Sequence, residues 1–178
     1  MLLHAEMSGE PKFIQGGSFV KFDKSHKKIA LSIFLEFQKK AKVGRWSNIA
    51  KGQSDLFYQR FLAQEFNEML KKFPIKYTML DHRDEPFGFM FFTKNILAES
   101  SLDLQFGFKR SDYFLNSEMI KIFKNILENV RLEHNIDNVY ACLMERKNQE
   151  KYNKTVLNVL GAKIINKDAF GRPLIKFE

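Results

Sequence analysis

Hydrophobic residues recur along the chain with two different periods, and the changes between them predict its elements. A spacing of three and four residues is typical of helices that bury one face. Ser25 is expected to cap the first such segment, while Pro74 and Gly161 are expected to end the second and the fourth. The predicted helices are about Ser25–Ala41, Ser54–Phe73, Asn116–His134 and Asn148–Leu160.

Alternating or continuous apolar runs between these helices predict strands. A polar turn at 81–86 separates two of the runs and predicts a hairpin. The predicted strands are about Ser18–Phe22, Ile75–Leu80, Phe87–Phe92, Ser101–Phe108, Asn138–Met144, Ala162–Asn166 and Pro173–Phe177.

The resulting order of elements is β-α-α-β-β-β-α-β-α-β-β. Hairpins occupy its middle, and one crossover helix joins two strands that can lie parallel. We therefore predict a mixed α/β (α+β) fold with a single central mixed sheet flanked by helices. Residues 1–17 are expected to be a loose leader, and residues 18–178 a single domain.

The composition supports a folded domain. The chain has 178 residues, of which 44% are hydrophobic and 19 are Phe, which excludes disorder as the main state. No apolar run approaches the ~18 residues that span a bilayer, and the N-terminus lacks a secretory pattern. The lone Cys142 fits a reducing compartment. We expect a soluble cytoplasmic protein with no membrane partner.

The formal charge of +8 admits two interpretations. A positive field attracts nucleic acids and anionic ligands. Lysines scattered over solvated helix faces produce the same net charge without any such partner. The sequence contains no RNA-binding aromatic signature, zinc-finger spacing or basic tail, so a nucleic-acid partner is possible but not favoured.

Metal and thiol chemistry find little support in the sequence. His4, His26, His82 and His134 lie in separate segments, and none has a metal-ligand partner four residues away. Cys142 has no companion cysteine and is expected to be a small core residue, as is Tyr140 on the same strand. We predict no metal site.

The segment LDLQFGFKRSDYFLNSE carries the strongest chemical pattern. A strand ends at the adjacent cations Lys109 and Arg110, and Asn116 and Ser117 suit the start of the next helix. Free N–H groups at a helix N-terminus, together with nearby cations, can hold a phosphate. A simple connection between a strand and a capped helix explains the same residues equally well.

These elements, in this order and spacing, resemble the GNAT-type N-acetyltransferase superfamily over about residues 18–178. FGFMFFTKN resembles its third strand, LDLQFGFK its fourth, NSEMIKIFKNILENV its cofactor helix, and VLGAKII its helix ending at Leu-Gly. The sequence departs from the family at the signature loop Gln/Arg-x-x-Gly-x-Gly/Ala. With Arg110 in the first position, Tyr113 and Leu115 occupy the glycine positions.

The resemblance implies an acyl-CoA-dependent enzyme that moves an acetyl group from acetyl-CoA to a primary amine of a small-molecule or protein acceptor. It also implies that the 42–54 connection, the 81–86 turn and the C-terminal hairpin determine the acceptor. The residues expected to contact the cofactor are Phe108, Lys109, Arg110, Asn116, Ser117 and Asn148.

The same resemblance implies the catalytic groups. A carboxylate on or near the fourth strand is often the base, which makes Glu99 and Asp103 candidates. The alternative for Asp103 is a solvent-facing position, because strand alternation puts it opposite Leu102 and Leu104. Tyr152 is the available proton donor for the leaving thiolate, with packing as the alternative role. The missing glycines and the positive charge leave a second function open: an inactive GNAT-like fold that binds protein or nucleic acid.

Overall fold

The architecture is one eight-stranded sheet with helices packed on its two faces. A computed structural model describes residues 12–14, 17–40, 55–109, 117–143, 157–169 and 171–178. The elements are β1 (Lys12–Ile14), β2 (Gly17–Lys21), α1 (Lys27–Lys40), α2 (Asp55–Lys72), β3 (Ile75–Leu80), β4 (Pro86–Lys94), β5 (Ser101–Phe108), α3 (Ser117–His134), β6 (Asn138–Cys142), β7 (Ala162–Lys167) and β8 (Pro173–Phe177). Residues 157–160 are helical.

The sheet topology confirms the predicted mixed α/β class. The strand order is β1-β2-β3-β4-β5-β6-β8-β7. β5 and β6 are parallel and are joined by the crossover helix α3, whereas the other neighbouring strands are antiparallel.

One strand lies inside the segment that we predicted to be a loose leader. Lys12–Ile14 pairs with β2 in antiparallel register, with Phe13 opposite Ser18. A three-residue strand shows no hydrophobic period of its own, so its pairing with β2 was not visible in the sequence.

The capping prediction at the first helix was wrong by two residues. Asp23, not Ser25, is the cap: its Oδ1 accepts the Ser25 backbone N–H at 2.6 Å. The His26 Nδ1 in turn accepts the Asp23 N–H at 3.3 Å and completes a capping box. The chain therefore enters α1 through a short 3₁₀ turn at Lys24–His26.

The two faces of the sheet bury different clusters. The face covered by α3, called the α3 face, holds the larger cluster, which includes Phe92, Leu104, Phe123 and Phe177. The opposite face, called the α1 face, buries a smaller cluster against α1 and α2: Ala30, Ile33, Phe66, Phe89 and Phe91. None of the described helices is long and apolar enough to span a bilayer.

Gly107 permits α1 to approach β5 closely. A Cβ atom at this position would lie 2.9 Å from the Phe89 ring and 3.1 Å from the Ile33 Cγ2. Because a side chain here would force the Phe89 ring and the Ile33 side chain to move, the glycine allows the observed close packing of α1 on the sheet.

Candidate functional site

The parallel pairing of β5 with β6 stops part-way along both strands. The last of its three pairs joins Asp103 to Tyr140, yet β5 continues to Phe108 and β6 to Cys142. We call this opening, between Leu104–Phe108 and Ala141–Cys142, the fork. Along the described residues, it interrupts the hydrogen-bonded ladder in the middle of the sheet.

Backbone groups of β5 point into the fork. Asn95 N–H donates to Ser101 O at 3.0 Å, and Lys109 N–H donates to Phe87 O at 2.6 Å. Hydrogen-bonded pairs alternate along an antiparallel ladder, so the odd-numbered residues of β5 bond to β4. The C=O group of Leu104 and the peptide groups of Phe106 and Phe108 therefore point away from β4 and toward the fork. The Leu104 N–H also points away from β4, but it belongs to the last pair of the ladder with β6, where its acceptor is the Tyr140 C=O.

The other wall of the fork is built in the same way. Leu143 N–H donates to Pro173 O at 2.9 Å, which assigns the odd-numbered residues of β6 to the ladder with β8. The peptide groups of Cys142 therefore face the fork from the β6 side. The fork has hydrogen-bonding groups on both walls, as an extended amide-containing ligand requires.

Tyr140 and Cys142 lie on the α1 face, which corrects the prediction that both belong to the core. Their neighbours Val139 and Ala141 are buried on the α3 face, and strand alternation turns Tyr140 and Cys142 to the other side. α1 packs on β4 and β5 there. Both side chains remain half-buried beside the fork.

The two candidate carboxylates occupy different positions. Asp103 is half-buried at the closed end of the fork, where its Oδ1 accepts a hydrogen bond from Asn95 Nδ2 at 2.8 Å. Glu99 is exposed in the turn that precedes β5, and its carbonyl accepts from the Ser101 hydroxyl at 3.1 Å. Only Asp103 of these two lies on a strand that borders the fork.

The turn between β7 and β8 adds two residues that the sequence did not single out. The Asp168 Oδ2 accepts from Arg172 Nε and lies 2.6 Å from its Nη2. Burial raises the pKa of the Cys142 thiol, a hydrogen bond to Asp168 and the charge of Asp103 raise it further, and Arg172 opposes the shift. These effects place all four side chains in one neighbourhood, with the thiol protonated at neutral pH.

The comparisons with known proteins concern the fold. No protein-family model and no curated protein matches the chain. It is similar to a GCN5-related N-acetyltransferase from Kribbella flavida, with a TM-score of 0.63, 9% identity, and coverage of 91% of this chain and 97% of that one. It is also similar to the PaiA N-acetyltransferase of Thermoplasma acidophilum in complex with coenzyme A, with a TM-score of 0.61, 10% identity and coverage of 90% and 97%.

A third similar structure is the ribosomal-protein-S5-alanine acetyltransferase of Vibrio fischeri. Its TM-score is 0.59, the identity is 9%, and 94% of each chain is covered. The chain has the GNAT acetyltransferase fold. This confirms the fold that the sequence resemblance implied, over nearly the whole length of the chain.

Within the GNAT fold, three of the predicted cofactor contacts lie among the described residues. Phe108 is buried on the α3 face, its ring centroid 6.1 Å from that of Phe123, so its peptide group and not its ring faces the fork. Lys109 and Ser117 are exposed at the end of β5 and the start of α3. The predicted residues that lie outside the described part are Arg110, Asn116, Asn148 and Tyr152.

The fork fits the pantetheine arm of coenzyme A in its chemistry. That arm is extended and carries two amides, and Leu104, Phe106 and Phe108 offer backbone partners for them. At the open end of β5, Lys109 supplies a cation, although Glu118 adds a carboxylate to the first turn of α3. Among the described residues, no group of three or more His, Cys, Asp or Glu side chains is placed to hold a metal ion.

Proposed function

We propose that the protein is an N-acetyltransferase that moves an acetyl group from acetyl-CoA to a primary amine. The observation that carries this proposal is the fork, an interruption of the sheet with hydrogen-bonding groups on both walls, in a GNAT fold. The coenzyme A bound by the similar protein from Thermoplasma acidophilum supports the choice of donor.

In this proposal the fork binds the donor along β5. The Leu104 C=O and the peptide groups of Phe106 and Phe108 hydrogen-bond to its amides, and Lys109 attracts its phosphates. Acetyl-CoA supplies the acetyl group as a thioester. Holding an extended donor against one strand fixes the position of its reactive end and lowers the entropic cost of the reaction.

Asp103 is the proposed general base. Its position at the closed end of the fork, on the half-exposed α1 face, gives an incoming amine access to the carboxylate. The carboxylate accepts the proton that the amine loses as its nitrogen forms the new amide bond, and the thioester C–S bond breaks. We propose Tyr152 as the group that returns a proton to the thiolate, since the family resemblance suggests this role.

The proposal is tested by a transfer assay that follows thiol release with a panel of primary amines. Asp103→Asn preserves the shape of the side chain and is expected to lower kcat/KM by about 10²–10⁴-fold, the usual contribution of a general base. Calorimetry is expected to show unchanged acetyl-CoA affinity in this variant. Glu99→Gln provides the comparison and is expected to retain most of the activity.

Two results would contradict this assignment. Absence of any heat of binding with acetyl-CoA at high concentration would reject the donor. Loss of activity in Glu99→Gln with full activity in Asp103→Asn would instead reject Asp103 as the base while leaving the donor in place.

The second candidate function is a GNAT-like module that has lost the cofactor and binds nucleic acid or protein. Tyr113 and Leu115 at the glycine positions of the signature loop, and the net charge of +8, favour it. A salt-dependent gel shift that disappears when Lys109 and Arg110 are both changed to Glu would support nucleic-acid binding. No shift with any nucleic acid would reject it.

A further inference from the structure

A row of four side chains crosses the α1 face beside the fork. Strand register places them next to one another, because directly paired residues on neighbouring strands share a face. Asp103 on β5 pairs with Tyr140 on β6, Tyr140 pairs with Lys176 on β8, and Lys176 pairs with Lys163 on β7.

Opposite charges stand at two positions in this row. Asp103 supplies a carboxylate that Asn95 holds through one oxygen. Lys176 is half-buried, and no described residue forms an ion pair or a hydrogen bond with its ammonium group. Lys163 differs, since its ammonium group pairs with the Glu178 carboxylate. The row therefore presents one anion and one cation that has no partner among the described residues, with the Tyr140 side chain between them.

The spacing of the two charges follows from the sheet. Two strand-to-strand steps separate Asp103 from Lys176, which puts their Cα atoms roughly 10 Å apart. A lysine whose stem packs on the sheet holds its ammonium group near that surface, where it can pair with an anionic ligand. A carboxylate or phosphate bound by Lys176 would lie several atoms from a nitrogen at Asp103.

We propose that the acceptor is a bipolar molecule, with its primary amine at Asp103 and an anionic group several atoms away at Lys176. This inference rests on the proposed acetyltransferase function and adds the class of acceptor to it. A simple alkylamine has nothing to pair with Lys176 and is accepted less well. The Asp168–Arg172 pair leaves the turn beside Cys142 close to neutral, so Lys176 supplies the selective charge.

The first experiment compares 6-aminohexanoate with hexylamine, two amines that differ in one carboxylate. We expect wild-type kcat/KM to favour 6-aminohexanoate by about tenfold or more, the value of one charge-assisted hydrogen bond. Lys176→Gln is expected to remove this preference. Lys163→Gln is the matched control: it changes the neighbouring lysine of the row, which already has a partner, and is expected to keep the preference.

A second experiment separates this inference from the proposed function. Saturation-transfer NMR with 6-aminohexanoate alone requires no cofactor, and we expect a signal that Lys176→Gln weakens and Lys163→Gln does not. That signal in a protein that fails to bind acetyl-CoA would support the row as a binding surface and reject the transferase. Two results would overturn the inference about the acceptor without rejecting the acetyltransferase function. One is acetyl transfer to 6-aminohexanoate and hexylamine with the same kcat/KM, and the other is an equal effect of Lys176→Gln and Lys163→Gln.

Discussion

β4 and β6 show how differently the two halves of one sheet are used. In β4, all six residues from Phe87 to Phe92 are buried, because α3 and the α1–α2 pair pack on opposite faces. In β6, burial alternates: Val139 and Ala141 are buried, whereas Tyr140 and Cys142 are half-exposed. The first strand is buried on both faces, and the second leaves the side chains of Tyr140 and Cys142 partly accessible.

The residue types of β4 and β6 account for this difference in burial. FGFMFF is a continuous apolar run, typical of a strand covered on both faces. NVYAC alternates, typical of a strand with one face covered. The fork lies where the part of the sheet that is covered on both faces ends. Its first wall is β5, which is paired with β4, and its second wall is β6, which is covered on one face.

The largest expected effect on stability is at Phe91. Its ring centroid lies 4.7 Å from Phe89 and 5.0 Å from Phe22, and the side chain is fully buried. Phe91→Ala is expected to lower the free energy of unfolding by about 3–5 kcal/mol, because it removes a buried ring and leaves a cavity.

Tyr140→Ala is the matched test in the other half of the sheet. We expect at most half of the cost of Phe91→Ala, since Tyr140 already contacts solvent and its loss leaves no closed cavity. Urea unfolding of both variants measures the two costs. Equal costs would show that the α1 face of β6 is as fully packed as β4.

A smaller effect is expected from a hydroxyl in the covered half. Tyr77 OH donates to Glu133 at 2.9 Å and accepts from Asn129 Nδ2 at 3.2 Å. Tyr77→Phe is expected to cost about 1 kcal/mol, the net value of a typical hydrogen bond. Tyr140→Phe removes a hydroxyl that has no described partner and is expected to change stability by less than about 0.5 kcal/mol.

The pH dependence of the free energy of unfolding gives a further test of the buried Tyr77 hydroxyl. Burial, and then the hydrogen bond to Glu133, raise the pKa of Tyr77 above its ordinary value of 10.0. The folded state therefore favours the protonated phenol, so its contribution is fully present below pH 10 and is lost as the pH rises further. Urea unfolding at pH 7 and pH 11 is expected to show the stability advantage of wild type over Tyr77→Phe shrinking; a constant difference would contradict the shift.

Local patterns predicted the elements because each has a strong period. The strands at 75–80, 101–108 and 173–177 have the predicted bounds, and the second helix, Asp55–Lys72, ends one residue before the predicted Phe73. The short β1 and the Asp23 cap were missed, since a three-residue pairing and a reciprocal side-chain bond leave weak sequence signals.

The candidate site was less predictable because it is assembled from distant strands. Asp103, Tyr140 and Lys176 become neighbours only through the register of three strands. Tyr140 and Cys142 were assigned to the core because alternation reveals two unlike faces without showing which face a helix covers. The Asp168–Arg172 pair had a sequence signal, an acid and a base four residues apart around Gly171, but nothing local linked it to Cys142.

Amide hydrogen exchange along β5 shows directly whether acetyl-CoA binds in the fork. If the fork binds acetyl-CoA, the added cofactor is expected to slow exchange at the Phe106 and Phe108 amides, which point into the fork. The Gln105 and Gly107 amides serve as internal controls, because their bonds to β4 are already formed and their exchange should stay unchanged. Unaltered exchange along all of β5 at saturating acetyl-CoA would show that acetyl-CoA does not bind in the fork.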